Sequence, residues 1–189
     1  MKKDYRLLMK RVDRGLQKEL GRPEIKICVF LLGPGDSDDS NGKSLRKYLE
    51  KKCDEFGVVV KGEHKELIRI FNERTEGLLD LCILEDWFAR EYANAVLIIP
   101  YSAGSLVEMG MFTWKDEICR KTMLILSEEF PEEEESFISK GTSMHYRSKG
   151  ATVTSVDYRK KGKIWEEVWN FLLKYKAEKF EKVLLKQDE

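Results

Sequence analysis

The segment best suited to chemistry is Tyr101-Ser102-Ala103-Gly104-Ser105-Leu106-Val107-Glu108-Met109-Gly110, where small residues lead from an apolar stretch to a carboxylate. Small residues at a helix entry leave backbone N–H groups open to a phosphate or ribose oxygen. On these residues alone, Glu108 has two readings of equal weight. Its carboxylate either projects into a crevice and works there, or it simply favours the positive end of a helix dipole, worth ~0.3–1 kcal/mol. Tyr101 offers a face on which a base can stack, or a packing surface beside a strand end.

A second loop, Gly33-Pro34-Gly35, follows another apolar run. Its continuation carries Asp36, Asp38 and Asp39, which repel a phosphate unless they point away. Asp36, Asp38 and Asn41 do not have the spacing of a calcium loop. Glu63 is the candidate second carboxylate, able to assist a leaving base or hold a ribose hydroxyl, against the alternative of a solvated turn residue. His64, beside it, titrates in the useful range, with a plain surface position as the alternative. Cys28, Cys53, Cys82 and Cys119 form no C-x-x-C pair, and only His64 and His145 could join them as soft ligands. Three of the four fall in apolar stretches, where a thiol acts as a small hydrophobe, so neither a metal nor a cofactor is expected.

Hydrophobic periodicity supplies the elements that must position these groups. Apolar runs at 25–32, 58–60, 95–99, 122–126 and 151–156 read as strands, and those at 25–32 and 95–99 are continuous enough to be covered on both faces. Helices are expected over 1–22, with Leu8, Val12, Leu16 and Leu20 on one face, and from residue 44, with Leu45, Leu49 and Cys53 stacked and Gly57 closing it. The stretch 66–92 reads as helix interrupted near Gly77, with Leu67, Ile68, Phe71, Leu78, Leu81, Leu84, Trp87 and Phe88 as core candidates. A short helix over 105–115 would place Glu108 in its first turn. A closing helix over 162–187 turns Val168, Phe171, Leu172 and Phe180 inward, and 128–135 reads as a solvated acidic loop.

Strands alternating with helices predict an α/β fold: a doubly wound, five-stranded parallel sheet, flavodoxin- or Rossmann-like, in the order 2-1-3-4-5. The first and third strands then lie together, and ligands bind off their carboxyl ends at the switch point. This gathers Gly33, Pro34, Gly35, Tyr101, Ser102, Gly104 and Ser105 as substrate-binding candidates around Glu108 and Glu63. The 189 residues read as one domain. Lys+Arg and Asp+Glu number 34 each, so no basic excess steers a nucleic-acid backbone, and such a partner is not expected. The N-terminus carries no apolar h-region, no apolar run approaches ~18 residues, and the cysteine usage suits a reducing cytoplasm, so a cytoplasmic protein without a membrane partner is expected.

The segment 102–112 resembles the nucleophile motif of the nucleoside 2-deoxyribosyltransferase-like superfamily, in which a Gly-Ser/Thr turn precedes a glutamate and then a glycine. Ile25-Lys26-Ile27-Cys28-Val29-Phe30-Leu31-Leu32-Gly33 is similar to that superfamily's first strand and glycine loop, and Val59-Val60-Lys61-Gly62-Glu63 to its second strand exit. Ser136-Phe137-Ile138 with Gly141 resembles a stretch of one branch, the toxin effectors encoded beside retron reverse transcriptases, for which the superfamily implies N-glycosidase activity. The likeness covers roughly 21–141. It implies a single nucleoside deoxyribosyltransferase-like domain with Glu108 as nucleophile, acting on a nucleoside or nucleotide such as NAD or a purine nucleotide, in antiphage defence. Relatives often oligomerise, so a homo-oligomer or a defence-complex partner is expected as well. Ser102 and Ala103 stand where transferases of free nucleosides carry an aspartate, which points away from base exchange on free deoxynucleosides. A rival of another class is a nucleotide-sensing module that uses the same crevice without catalysis, and a third is an inert scaffold.

Overall fold

The computed structural model describes residues 25–36, 38, 40–63, 65, 68–69, 81–129 and 141–185. The predicted helix over 1–22, His64, Asp39, residues 66–67 and 70–80 of the stretch 66–92, and Ser136-Phe137-Ile138 lie outside the described residues, and of the acidic run only Glu128 and Glu129 lie within them.

Five strands, β1 (Ile27–Leu32), β2 (Gly57–Val60), β3 (Ala95–Ile98), β4 (Thr122–Ser127) and β5 (Thr152–Val156), form one sheet in the order β2-β1-β3-β4-β5. Every pairing is parallel, as predicted. Val29 lies opposite Ala95 and Leu32 opposite Ile98, so β1 and β3 end side by side. The Ile99 N–H donates to the Leu32 carbonyl at 3.0 Å and extends that pairing to the loops. The switch point therefore lies where the strand order demands.

Around the sheet lie α1 (Asn41–Cys53), α2 (Leu81–Glu91), α3 (Ala103–Phe112), α4 (Asp116–Cys119), α5 (Ser143–Ser148) and α6 (Lys161–Leu185). The pleat divides the core. Val29, Leu31 and Leu97 face Leu45 and Leu49 of α1 and Val168 and Leu172 of α6. Phe30, Leu32 and Ile98 face Phe88 of α2 and Met109 and Phe112 of α3. Each large side chain buried here stabilises the fold by roughly 1.5–3 kcal/mol, so both faces of the central strands are held firmly.

Several boundaries and core assignments differ from the pattern reading. The α1 helix begins at Asn41 because the Ser40 hydroxyl accepts from the Lys43 N–H at 3.2 Å, an N-cap that starts the helix before its apolar face begins. Gly57 does not close α1; it opens β2 at φ +152°, where a Cβ would collide with the Ile27 backbone. Leu81 is exposed, Trp87 only partly buried against Tyr92, and Phe180 only partly buried near the end of α6. The short α4 and α5 have no counterpart in the predicted elements. Tyr146 fixes α5 to the core: it is fully buried, and its hydroxyl donates to the Met109 carbonyl at 2.9 Å.

Candidate active site

The predicted helix over 105–115 begins two residues earlier and ends at Phe112, and the cap explains the earlier start. Ser102 and Ser105 form a reciprocal capping box. The Ser105 hydroxyl accepts from the N–H groups of Tyr101 and Ser102 at 3.0 and 2.9 Å, while the Ser102 hydroxyl accepts from the Ser105 N–H at 3.3 Å. Both hydroxyls are thus engaged within the turn. Glu108 becomes the sixth residue of α3, in its second turn rather than its first. The dipole effect falls off within one turn, so the bland explanation of this carboxylate loses its basis.

Three further charged side chains on neighbouring elements act electrostatically on Glu108. Arg46, on α1, is 3% exposed, and Glu85, on α2, is 4% exposed. Glu63 stands in the turn after β2 and is half exposed, with its Oε2 accepting from Arg46 Nη2 at 2.6 Å. The backbone of Gly62 lies directly against Glu85, and a Cβ there would overlap Glu85 Oε1. Glu108 Oε2 is buried and has no hydrogen-bond partner among the described residues.

The electrostatics separate these carboxylates. Burial pushes Glu85 up to about 7, the Glu63 charge adds to the rise, and Arg46 opposes it. Burial likewise pushes Glu108 up to about 8, with the Glu85 charge next in size, Arg46 opposing and Glu63 adding to the rise. Burial alone would raise Glu63 too. The Arg46 hydrogen bond, the Glu63 backbone N–H and the charges of Arg46 and Lys61 outweigh it and leave Glu63 below the usual carboxylate range. Near neutral pH the site therefore combines one carboxylate held down with two carboxyl groups raised by burial and by neighbouring charge. Carboxyl groups driven apart in this way can divide acid, base and nucleophile roles between them. Among the described residues, no three His, Cys, Asp or Glu side chains are grouped so as to hold a metal ion.

The remaining candidates line the same end of the sheet. Gly33 and Gly35 are half-buried, and Pro34 is buried with its carbonyl accepting from Arg46 Nη1 at 3.0 Å. A Cβ at Gly35 or Gly104 would meet nothing within 4 Å among the described residues beyond its own chain neighbours and local helix backbone. The Tyr101 ring packs on Tyr158 at 5.5 Å, and its hydroxyl donates to Glu129 Oε2 at 2.8 Å, the bond that chiefly raises its pKa. Asp36 is exposed and pairs with Lys47 at 3.5 Å.

Two members of the cluster, Arg46 and Glu85, are absent from the predicted set. Each carries a signal in the sequence. Glu85 sits between the buried Leu84 and Phe88, and Arg46 between the buried Leu45 and Leu49, so each is a charge on a helix's inward face.

No curated protein matches the chain. The sequence model of a family described as STM3845 retron effector protein matches residues 38–188, most of the chain, and the matched span contains Arg46, Glu63, Glu85 and Glu108.

Proposed function

The chain belongs to the STM3845 retron effector protein family, which supports a role in antiphage defence, and we propose that it carries out that role as an N-glycosidase acting on a nucleoside or nucleotide. The observation that carries this reading is the gathering of Glu108, Glu85 and Glu63 at the switch point, two of them held near neutrality and one held ionised. The resemblance of 102–112 to a nucleophile motif of the nucleoside 2-deoxyribosyltransferase-like superfamily supports it from a separate direction.

Breaking an N-glycosidic bond builds positive charge on the sugar and negative charge on the departing base nitrogen. The site offers a group for each. A Glu108 carboxylate oxygen attacks the anomeric carbon as the carbon–nitrogen bond breaks. The bonding pair goes to the base nitrogen, which takes the proton carried by Glu85. Water then attacks the anomeric carbon, the bond to Glu108 breaks with its pair returning to the carboxylate, and the water proton passes to Glu85. Substrate and water become sugar and free base, and both carboxyl groups return to their starting state. Burial raises both Glu108 and Glu85, so either can carry the proton near neutral pH. Glu63, already ionised, is suited to accept a hydrogen bond from a sugar hydroxyl rather than to supply a proton.

The test is incubation of purified protein with NAD, ATP, dATP and free nucleosides, read by chromatography beside Glu108→Gln. Release of free base by the wild type, lowered at least a thousandfold in the variant on the scale of losing a nucleophile, supports the reading. Tight nucleotide binding with no product would replace it with the sensing module.

A further inference from the structure

Arg46 is a buried cation whose position stability alone does not explain. Taking a guanidinium out of water costs several kcal/mol, and an apolar side chain of similar volume often stabilises a core equally well or better. At this point of α1, between Leu45 and Leu49, such a side chain would continue the apolar face. What an apolar residue could not supply is the fork. Arg46 Nη1 donates to the Pro34 carbonyl at 3.0 Å, and Nη2 donates to Glu63 Oε2 at 2.6 Å and to the Leu31 carbonyl at 3.4 Å. One planar group thus ties the last residues of β1, the glycine loop and the turn after β2. Arg46 Nε is buried without a partner among the described residues, so the side chain is arranged for its outer nitrogens.

We propose that Arg46 is a positioning residue, which clasps the Gly33-Pro34-Gly35 loop and Glu63 into one fixed wall of the crevice facing Glu108. The proposal rests on the glycosidase reading for its effect on turnover, but not for the clasp itself. Arg46 acts through Glu63 and the loop rather than on the reacting atoms. Its charge also pulls Glu85 and Glu108 downward, so one side chain is coupled to all three carboxylates. Lysine cannot replace it, because an ammonium supplies charge without the planar, multi-donor geometry.

The test uses the full chain with Arg46→Lys, Arg46→Met, Glu63→Gln and the double variant Arg46→Met/Glu63→Gln. Base release is measured against substrate concentration and pH, with folding checked by thermal melting. Arg46→Met should lower kcat/KM roughly a hundredfold, the size expected of a catalytic group displaced by about 1 Å. The double variant should be no worse than the poorer single variant, because both changes break one linkage. Arg46→Lys should restore the wild-type pH profile without restoring kcat/KM. Wild-type kcat/KM in Arg46→Lys would overturn the proposal in favour of charge alone, and losses that multiply in the double variant would overturn the linkage. If Arg46→Met lowers the melting temperature yet folded protein turns over normally, Arg46 is structural only and the proposal fails.

A wild type that releases no base would defeat the glycosidase reading and still leave the clasp open to measurement. Carbon-13 NMR of the glutamate carboxyls, with Glu63 assigned by its loss in Glu63→Gln, reads the clasp without turnover. Glu63 should titrate below the ordinary range in the wild type and return toward it in Arg46→Met. An unchanged Glu63 titration would refute the clasp.

Discussion

Glutamine in place of Glu85 keeps the shape of the side chain and removes its charge, so the substitution isolates what ionising this buried carboxyl costs the fold. Glu85 is 4% exposed and is pushed up from 4.5 to about 7, by burial first and the Glu63 charge second. Its folded pKa thus lies above its unfolded one. The stability tied to the protonated group is whole below pH 4.5 and is lost as pH rises through 7. At about 1.4 kcal/mol per unit, the loss is about 1 kcal/mol at pH 5 and about 3 kcal/mol at pH 7, with little added beyond. Glutamine has no such slope. Any fixed penalty from its amide shifts the whole curve and leaves the slope alone, while Glu108, relieved of a neighbouring charge, steepens the contrast in the same direction. The Tm of Glu85→Gln relative to wild type should therefore climb by roughly 4–8 °C between pH 5 and pH 7, at 2–4 °C per kcal/mol for a chain of this size. Circular-dichroism melts at constant ionic strength measure it. A difference that stays flat across that window would show that Glu85 is not held near neutrality, and the proton-bearing role would fall with it.

Two further substitutions probe how the site is held. Gly62→Ala places a Cβ where Glu85 Oε1 now lies, so the carboxyl must shift; overpacking of this kind costs about 1–3 kcal/mol, and melting should show it. Ser102→Ala removes the cap of α3 and should cost about 1 kcal/mol. Ser105→Ala should cost more in the same melts, because the Ser105 hydroxyl serves two backbone N–H groups where that of Ser102 serves one.

The sheet was legible because periodicity and run length carry the information that sets it. Val29, Phe30 and Leu31 in β1 and Val96, Leu97 and Ile98 in β3 are apolar on both faces, which a solvated strand would not be. Strand order and the switch point then follow from alternation with helices. The position of Glu108 was less legible, since a start at Ser105 or at Ala103 depends on which serine caps, and two serines three residues apart can each do so. The short α5 is tied to the core by the Tyr146 hydroxyl and has too few residues for a period to show.

The charged cluster escaped for a different reason, and that reason bears on its function. Pattern reading assigns charged residues to the solvent side because burying a charge costs more than local propensity can repay. Arg46 and Glu85 break that rule on helices whose remaining inward positions are mostly apolar. A charge kept inside must be compensated, and only part of the compensation is visible: Arg46 pairs with Glu63, while Glu108 Oε2 has no partner among the described residues. A network built for stability would neutralise its members and leave their titration ordinary or depressed. Here Glu85 and Glu108 are raised toward neutrality beside a carboxylate held down. Carboxyl groups whose surroundings drive their titration apart are suited to separate acid, base and nucleophile roles, and these lie near the strand-order switch point between β1 and β3.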